Sequence, residues 1–240
     1  MDKLSFDDLT TAAFIYYIVS HSEEGWADKA YKKFYNECYN ELSEYLENEN
    51  KKAIEKIVNC ITEFLKSWHS LRGADETKFR DQLENFLSKD ENIIKIRKFS
   101  KKEIEKSSLE DIIESGELYQ SIMGIEGVGP TNSSKILHML CPKFFIMWDK
   151  RIREKYIGKK SNADAYVKFL RLMIDKIPAS LDSIQMKDIE EILEDKSCEK
   201  TIAKLIDEYN FVTITKGIDL NKIKSIIKKL SMLNKNFIKI

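Results

Sequence analysis

Between Met123 and Leu140 the chain reads Gly124-Ile125-Glu126-Gly127-Val128-Gly129-Pro130-Thr131-Asn132-Ser133-Ser134-Lys135, a run of residue types suited to holding a phosphate. Gly127 and Gly129 permit positive φ and leave the backbone uncovered, so amide N–H groups can approach a phosphate oxygen closely. Pro130 suits the first turn of a helix, where no intrahelical N–H bond is lost. Thr131, Asn132 and Ser133 supply short side chains able to cap that helix or touch phosphate, and Lys135 brings an amine one helical turn beyond Thr131. Contacts of this kind grip a nucleic-acid backbone and ignore base sequence. An ordinary turn between two helices uses the same glycines, so the pattern gains meaning only from its surroundings. The second group is Asp149, which directly precedes Lys150-Arg151-Ile152-Arg153. An aspartate there reads as a helix N-cap.

The elements that must position these residues are helical. Apolar residues recur at helical spacing in Leu9, Ala13, Tyr16, Tyr17 and Val19, in Ala30, Phe34, Cys38 and Leu42, and from Ile54 through Ile57, Val58, Ile61, Phe64 and Leu65 to Trp68. Further amphipathic stretches run over about 76–88, 108–114, 116–123, 132–141, 150–157, 162–176, 186–195, 199–209 and 220–233, which implies ten or more helices. Phe211-Val212-Thr213-Ile214-Thr215 alone looks strand-like; one such run makes no sheet, so it reads as an extended connection. Tyr16, Tyr17, Phe34, Tyr35, Tyr39 and Phe64 fall on helical stripes and read as core. His21, His69 and His138 lack the i,i+4 spacing of metal ligands.

The 240 residues suffice for one or two domains with a substantial core, at 42% hydrophobic and 33% charged. With 8 Gly and 3 Pro there are too few turn formers for a sandwich or barrel. Cys38, Cys60, Cys141 and Cys198 contain no C-x-x-C pair and read as buried thiols; neither zinc nor an Fe–S cluster is expected. No apolar run spans a bilayer and the N-terminus lacks a signal-peptide pattern, so the expectation is a cytoplasmic protein that engages no membrane. Formal net charge is zero, yet residues 1–50 carry a net −7 and residues 127–160 a net +6. A basic segment is ordinarily a solvated face, and it bears on function only where phosphate binding is also indicated.

The run Ile125-Glu126-Gly127-Val128-Gly129-Pro130-Thr131-Asn132-Ser133-Ser134-Lys135-Ile136-Leu137 resembles the helix-hairpin-helix motif of DNA repair proteins. Asp149 follows Gly129 by 20 residues, after Phe144-Phe145-Ile146-Met147-Trp148, and this is similar to the signature of the endonuclease III and 3-methyladenine DNA glycosylase superfamily. The resemblance covers about 30 residues. It implies an all-α fold of two helical subdomains, 48–143 containing the hairpin at about 122–140 and 1–47 plus 144–240, with a cleft between them. It implies that Asp149 is catalytic and that Gly127, Gly129, Thr131, Asn132, Ser133, Lys135, Lys150 and Arg151 bind DNA phosphates. The chain departs from the pattern at Thr131, where bifunctional members carry a nucleophilic lysine, and it lacks the cysteine cluster found in some members after the aspartate. The expectation is therefore a monofunctional glycosylase for a damaged or deaminated base, acting as a monomer on double-stranded DNA without cofactor or metal. Lys135 is the one candidate for a displaced amine. The alternatives are a non-catalytic DNA-binding protein that uses the same hairpin, and a helical scaffold.

Overall fold

The computed structural model describes residues 3–21, 26–48, 52–71, 73–177 and 201–237. The fold is all-α: among the described residues there are eleven α-helices and no strand. They are α1 (Phe6–His21), α2 (Trp26–Asn48), α3 (Lys52–Ser67), α4 (Glu76–Ser88), α5 (Asp90–Ser100), α6 (Leu109–Met123), α7 (Pro130–Leu140), α8 (Lys150–Tyr156), α9 (Ala163–Lys176), α10 (Ile202–Asn210) and α11 (Leu220–Phe237). None is long and apolar enough to cross a membrane.

Short polar residues start most of these helices by accepting from an otherwise unpaired N–H. Asp75 caps α4, Ser108 and Asp111 form a reciprocal capping box on α6, and Asp149, Asn162 and Thr201 cap α8, α9 and α10. Helix α7 is different: its N-cap is Gly129, and no side chain caps it.

Helix α3 shows how the core forms. Its stripe of Ile54, Ile57, Val58, Ile61, Phe64 and Leu65 is buried along α2 and against α4 and α7. One continuous apolar cluster extends from Ala30 on α2 to Ile206 on α10 and includes Phe99, Phe144, Phe145, Trp148, Tyr166 and Phe169. Two smaller clusters seat α1 on α10 and on the segment that follows α10.

Four expectations change. Helix α5 is absent from the sequence reading, because its charged residues mask a buried stripe of only Asn92, Ile93, Ile96 and Phe99. Helix α6 runs unbroken through Gly116, since a Cβ there would lie 2.7 Å from the Val167 side chain, and α9 packs close at that point. Phe211–Thr215 is a π turn continuing α10, with Val212 buried against α1. Its β-branched residues favour extended backbone only where nothing else buries them. Cys38 and Cys60 form a disulfide between α2 and α3, while Cys141 is the buried thiol expected. The stretch 186–195 and Cys198 lie outside the described residues.

Beneath α7 lies a buried polar network. His138 donates from Nδ1 to the Phe145 carbonyl at 2.6 Å, and the Tyr31 hydroxyl lies 3.2 Å from Nε2, where it can donate. Burial, reinforced by the Lys204 charge, pulls the His138 pKa down from 6.5 to about 3. Below pH 6.5 the unfolded chain takes up a proton that the folded chain refuses, so stability falls as the pH drops from about 6.5 toward 3. Between pH 6.5 and 5, a window above most carboxylate titration, this should cost about 1.5 kcal/mol. Urea midpoints measured across that window should fall for the wild type and stay nearly flat for His138→Gln.

Candidate nucleic-acid interface

The connection from α6 to α7 is built by two apolar residues and one obligatory glycine. Ile125 and Val128 are buried, and the Val128 amide donates to the Ile125 carbonyl at 3.0 Å, which closes the turn. Gly127 has φ +77°, and a Cβ on it would come within 2.6 Å of the Ala74 Cβ. Glycine is thus required there twice, for its left-handed backbone and for close approach to the α3–α4 connection. The Glu126 amide donates to Gln82 Oε1 at 2.7 Å, which docks the turn on α4. Gly129 differs from the expectation of positive φ: it has φ −88°, and nothing lies within 4 Å of where its Cβ would sit. Its lack of a side chain leaves the end of α7 open. The Thr131 and Asn132 amides belong to the first turn of this uncapped helix, where the backbone dipole is positive.

The same turn holds the chain around Asp149. Trp148 Nε1 donates to the Pro130 carbonyl at 3.1 Å, and the Trp148 amide donates to Ser134 Oγ at 3.1 Å. Ser134 Oγ in turn donates to the Thr131 carbonyl at 2.9 Å. The Tyr119 hydroxyl, 3.2 Å from the Pro130 carbonyl and stacked on Tyr166, braces this junction from α6. Both the indole and the main chain of Trp148 are therefore fixed to the first two turns of α7. Asp149, the next residue, is held at a set offset from the uncapped end of α7.

Asp149 is half-buried and uses both carboxylate oxygens. Oδ1 accepts from the Ile152 amide at 2.8 Å, which is the N-cap of α8, and Oδ2 accepts from Thr215 Oγ1 at 2.5 Å. Each oxygen keeps a second lone pair. Arg151 donates from Nη1 to the Thr215 carbonyl at 2.6 Å, and Tyr156 donates to Asn210 Oδ1 at 2.9 Å. Helix α8 is thus tied to the end of α10 and the π turn.

The residues expected to face phosphate divide into two groups. Gly127, Gly129, Lys150 and Arg151 are exposed and Thr131 is half-buried, all available at the surface. Asn132, Ser133 and Lys135 are buried, and their side chains serve the protein instead. Asn132 Nδ2 donates to the Ser70 carbonyl at 2.8 Å, and Ser133 Oγ donates to the Gly129 carbonyl at 3.1 Å. Lys135 Nζ donates to Ser70 Oγ at 3.0 Å and lies 4.0 Å from the centre of the Trp68 ring. The physical reason is that the turn after α3 covers this face of α7. Burial lowers the Lys135 pKa to about 8, against the opposing charges of Asp207 and Asp149. An amine enclosed this way anchors the turn and is closed to a phosphate at the surface.

Sequence reasoning missed Thr215, Ser70 and Tyr119. No local signal marks Thr215, which stands 66 residues from its partner in a run that reads as extended. A groove of about 960 Å³ between α6 and α9, lined by Ile113, Gly116, Val167 and Arg171, includes neither Asp149 nor any residue of the glycine turn. No family model matches the chain, and no curated protein or solved structure matches it either.

Proposed function

We propose that the chain is a monofunctional DNA glycosylase of the helix-hairpin-helix superfamily, which hydrolyses the N-glycosidic bond of a damaged or deaminated base. The observation that carries the reading is the double attachment of Trp148 to Pro130 and Ser134 of α7, which couples a carboxylate to the uncapped N-terminus of that helix. In this reading α6, the glycine turn and α7 form the hairpin. The subdomains are 48–143 and 1–47 plus 144–240, with the DNA-facing cleft beside Asp149.

The amides at the start of α7 would take one phosphate, and the exposed Lys150 and Arg151 the flanking ones. The glycosidic carbon is unreachable inside the base stack, so the nucleotide must be extruded, at a cost of a few kcal/mol that phosphate contacts offset. As the C1′–N bond breaks, the base leaves with the bonding electrons and positive charge develops on the deoxyribose ring. Asp149 stabilises that cation through its free lone pairs and orients the water that attacks C1′; the proton this water loses passes through solvent to the departed base. Lys135, enclosed by Trp68 and Ser70, takes no part as a nucleophile, which supports hydrolysis without strand cleavage.

A second reading, a non-catalytic duplex-binding protein, is favoured by one observation: both oxygens of Asp149 are already engaged by the protein. Base release from duplexes carrying uracil, hypoxanthine, 8-oxoguanine or 3-methyladenine separates the two. The glycosylase reading expects release from one of these, with strand breakage only after alkali. Breakage without alkali would move the chemistry to an amine. Salt-sensitive binding with no release would favour the binding protein.

A further inference from the structure

We infer that Thr215 is a positioning residue for Asp149, an assignment that rests on the glycosylase reading above. A helix cap needs only one carboxylate oxygen, and Oδ1 already fills that role with the Ile152 amide at 2.8 Å. A carboxylate held by one oxygen can still turn about its Cβ–Cγ bond, because that torsion is broad. The Thr215 hydroxyl, 2.5 Å from Oδ2, removes this freedom and sets the plane of the carboxylate.

The hydroxyl is brought there by an uncommon backbone. Phe211–Thr215 is a π turn, a form found mostly as single turns inside or beside helices and frequently at functional sites. Its wider winding rotates Thr215 away from the direction an α-helical continuation would give it. The turn is fixed at several points. Val212 is buried, the Lys216 amide donates to the Phe211 carbonyl at 2.8 Å, and the Ile218 amide donates to the Val212 carbonyl at 3.0 Å. From the other side the Arg151 guanidinium holds the Thr215 carbonyl at 2.6 Å. Thr215 therefore offers its hydroxyl to Asp149 from a backbone that α8 itself clamps. An additional hydrogen bond that fixes a carboxylate in one plane suits a group that must meet a reacting carbon at one angle.

The experiment compares full-length wild type, Thr215→Val, Thr215→Ser and Asp149→Asn in single-turnover base release from the duplex panel, with duplex affinity and melting temperature measured alongside. Misplacing a reacting group by about an ångström can cost up to about 100-fold in rate, so Thr215→Val is expected to slow release by about 10-fold to 100-fold. Affinity and melting temperature should stay at wild-type values, and Thr215→Ser should recover most of the rate. Release by Thr215→Val within about twofold of wild type, while Asp149→Asn loses it, would overturn the positioning role and leave the glycosylase reading intact. Parallel loss of rate, affinity and melting temperature without rescue by serine would reduce Thr215 to a structural tie. Absence of release by the wild type from every duplex would overturn the glycosylase reading, and this inference with it.

Discussion

Asp149→Asn is expected, on the glycosylase reading, to lower base release by about 10³-fold while leaving folding and duplex affinity near wild type, because the substitution separates the helix cap from the catalytic role proposed for the carboxylate. Asparagine caps a helix about as well as aspartate, so its Oδ1 can keep the 2.8 Å bond from the Ile152 amide. The amide group then faces Thr215 Oγ1 and can donate to it, so the tie between α8 and the π turn survives in altered form. What is lost is the negative charge proposed to answer the cation on the sugar. Single-turnover release read beside duplex affinity and thermal melting tests this. A variant that melts normally, binds normally and still releases base would show that Asp149 only caps α8.

Lys204→Met should destabilise the protein by about 3–5 kcal/mol, a large share of the stability of a typical domain. The Lys204 side chain is 1% exposed, with Nζ 3.1 Å from Asp207 Oδ2 and 3.8 Å from Glu208 Oε1. Its ammonium also lies 4.6 Å from the Tyr16 ring centre and 4.8 Å from that of Tyr31, so α1 and α2 both close over it. Methionine fills most of the volume but removes the ammonium from beside two buried carboxylates. Adding Asp207→Asn and Glu208→Gln removes those charges and should recover part of the loss. Urea unfolding at constant slope is the measurement. A loss below about 1 kcal/mol would mean that the carboxyls bind protons when the lysine is removed.

Much of the fold was legible in the residues. Scarce glycine and proline, with apolar residues at helical spacing, pointed to an all-α chain, and the Ile54 to Leu65 stripe of α3 is buried as its periodicity requires. Elements whose burial comes from distant neighbours were illegible or misread. Helix α5 hides its stripe among charges, and Phe211–Thr215 carries a β-like composition yet winds as a π turn because α1 buries Val212.

The candidate site divides in the same way. Sequence by itself determined what depends on a residue and its immediate neighbours. Gly127 takes the left-handed backbone, Pro130 opens a helix at N1, and Asp149 caps the helix after it. Tertiary structure alone decided which side chains face solvent and which partners they meet. Lys135 lies one helical turn beyond Thr131, yet Ser70, 65 residues away, receives its amine and Trp68 covers it. Thr215 reaches Asp149 only because α10 continues into the π turn beside α8. Helical periodicity establishes which residues share a face. Which neighbour covers that face follows from the packing of the whole core, where contacts far apart in sequence outweigh local preference.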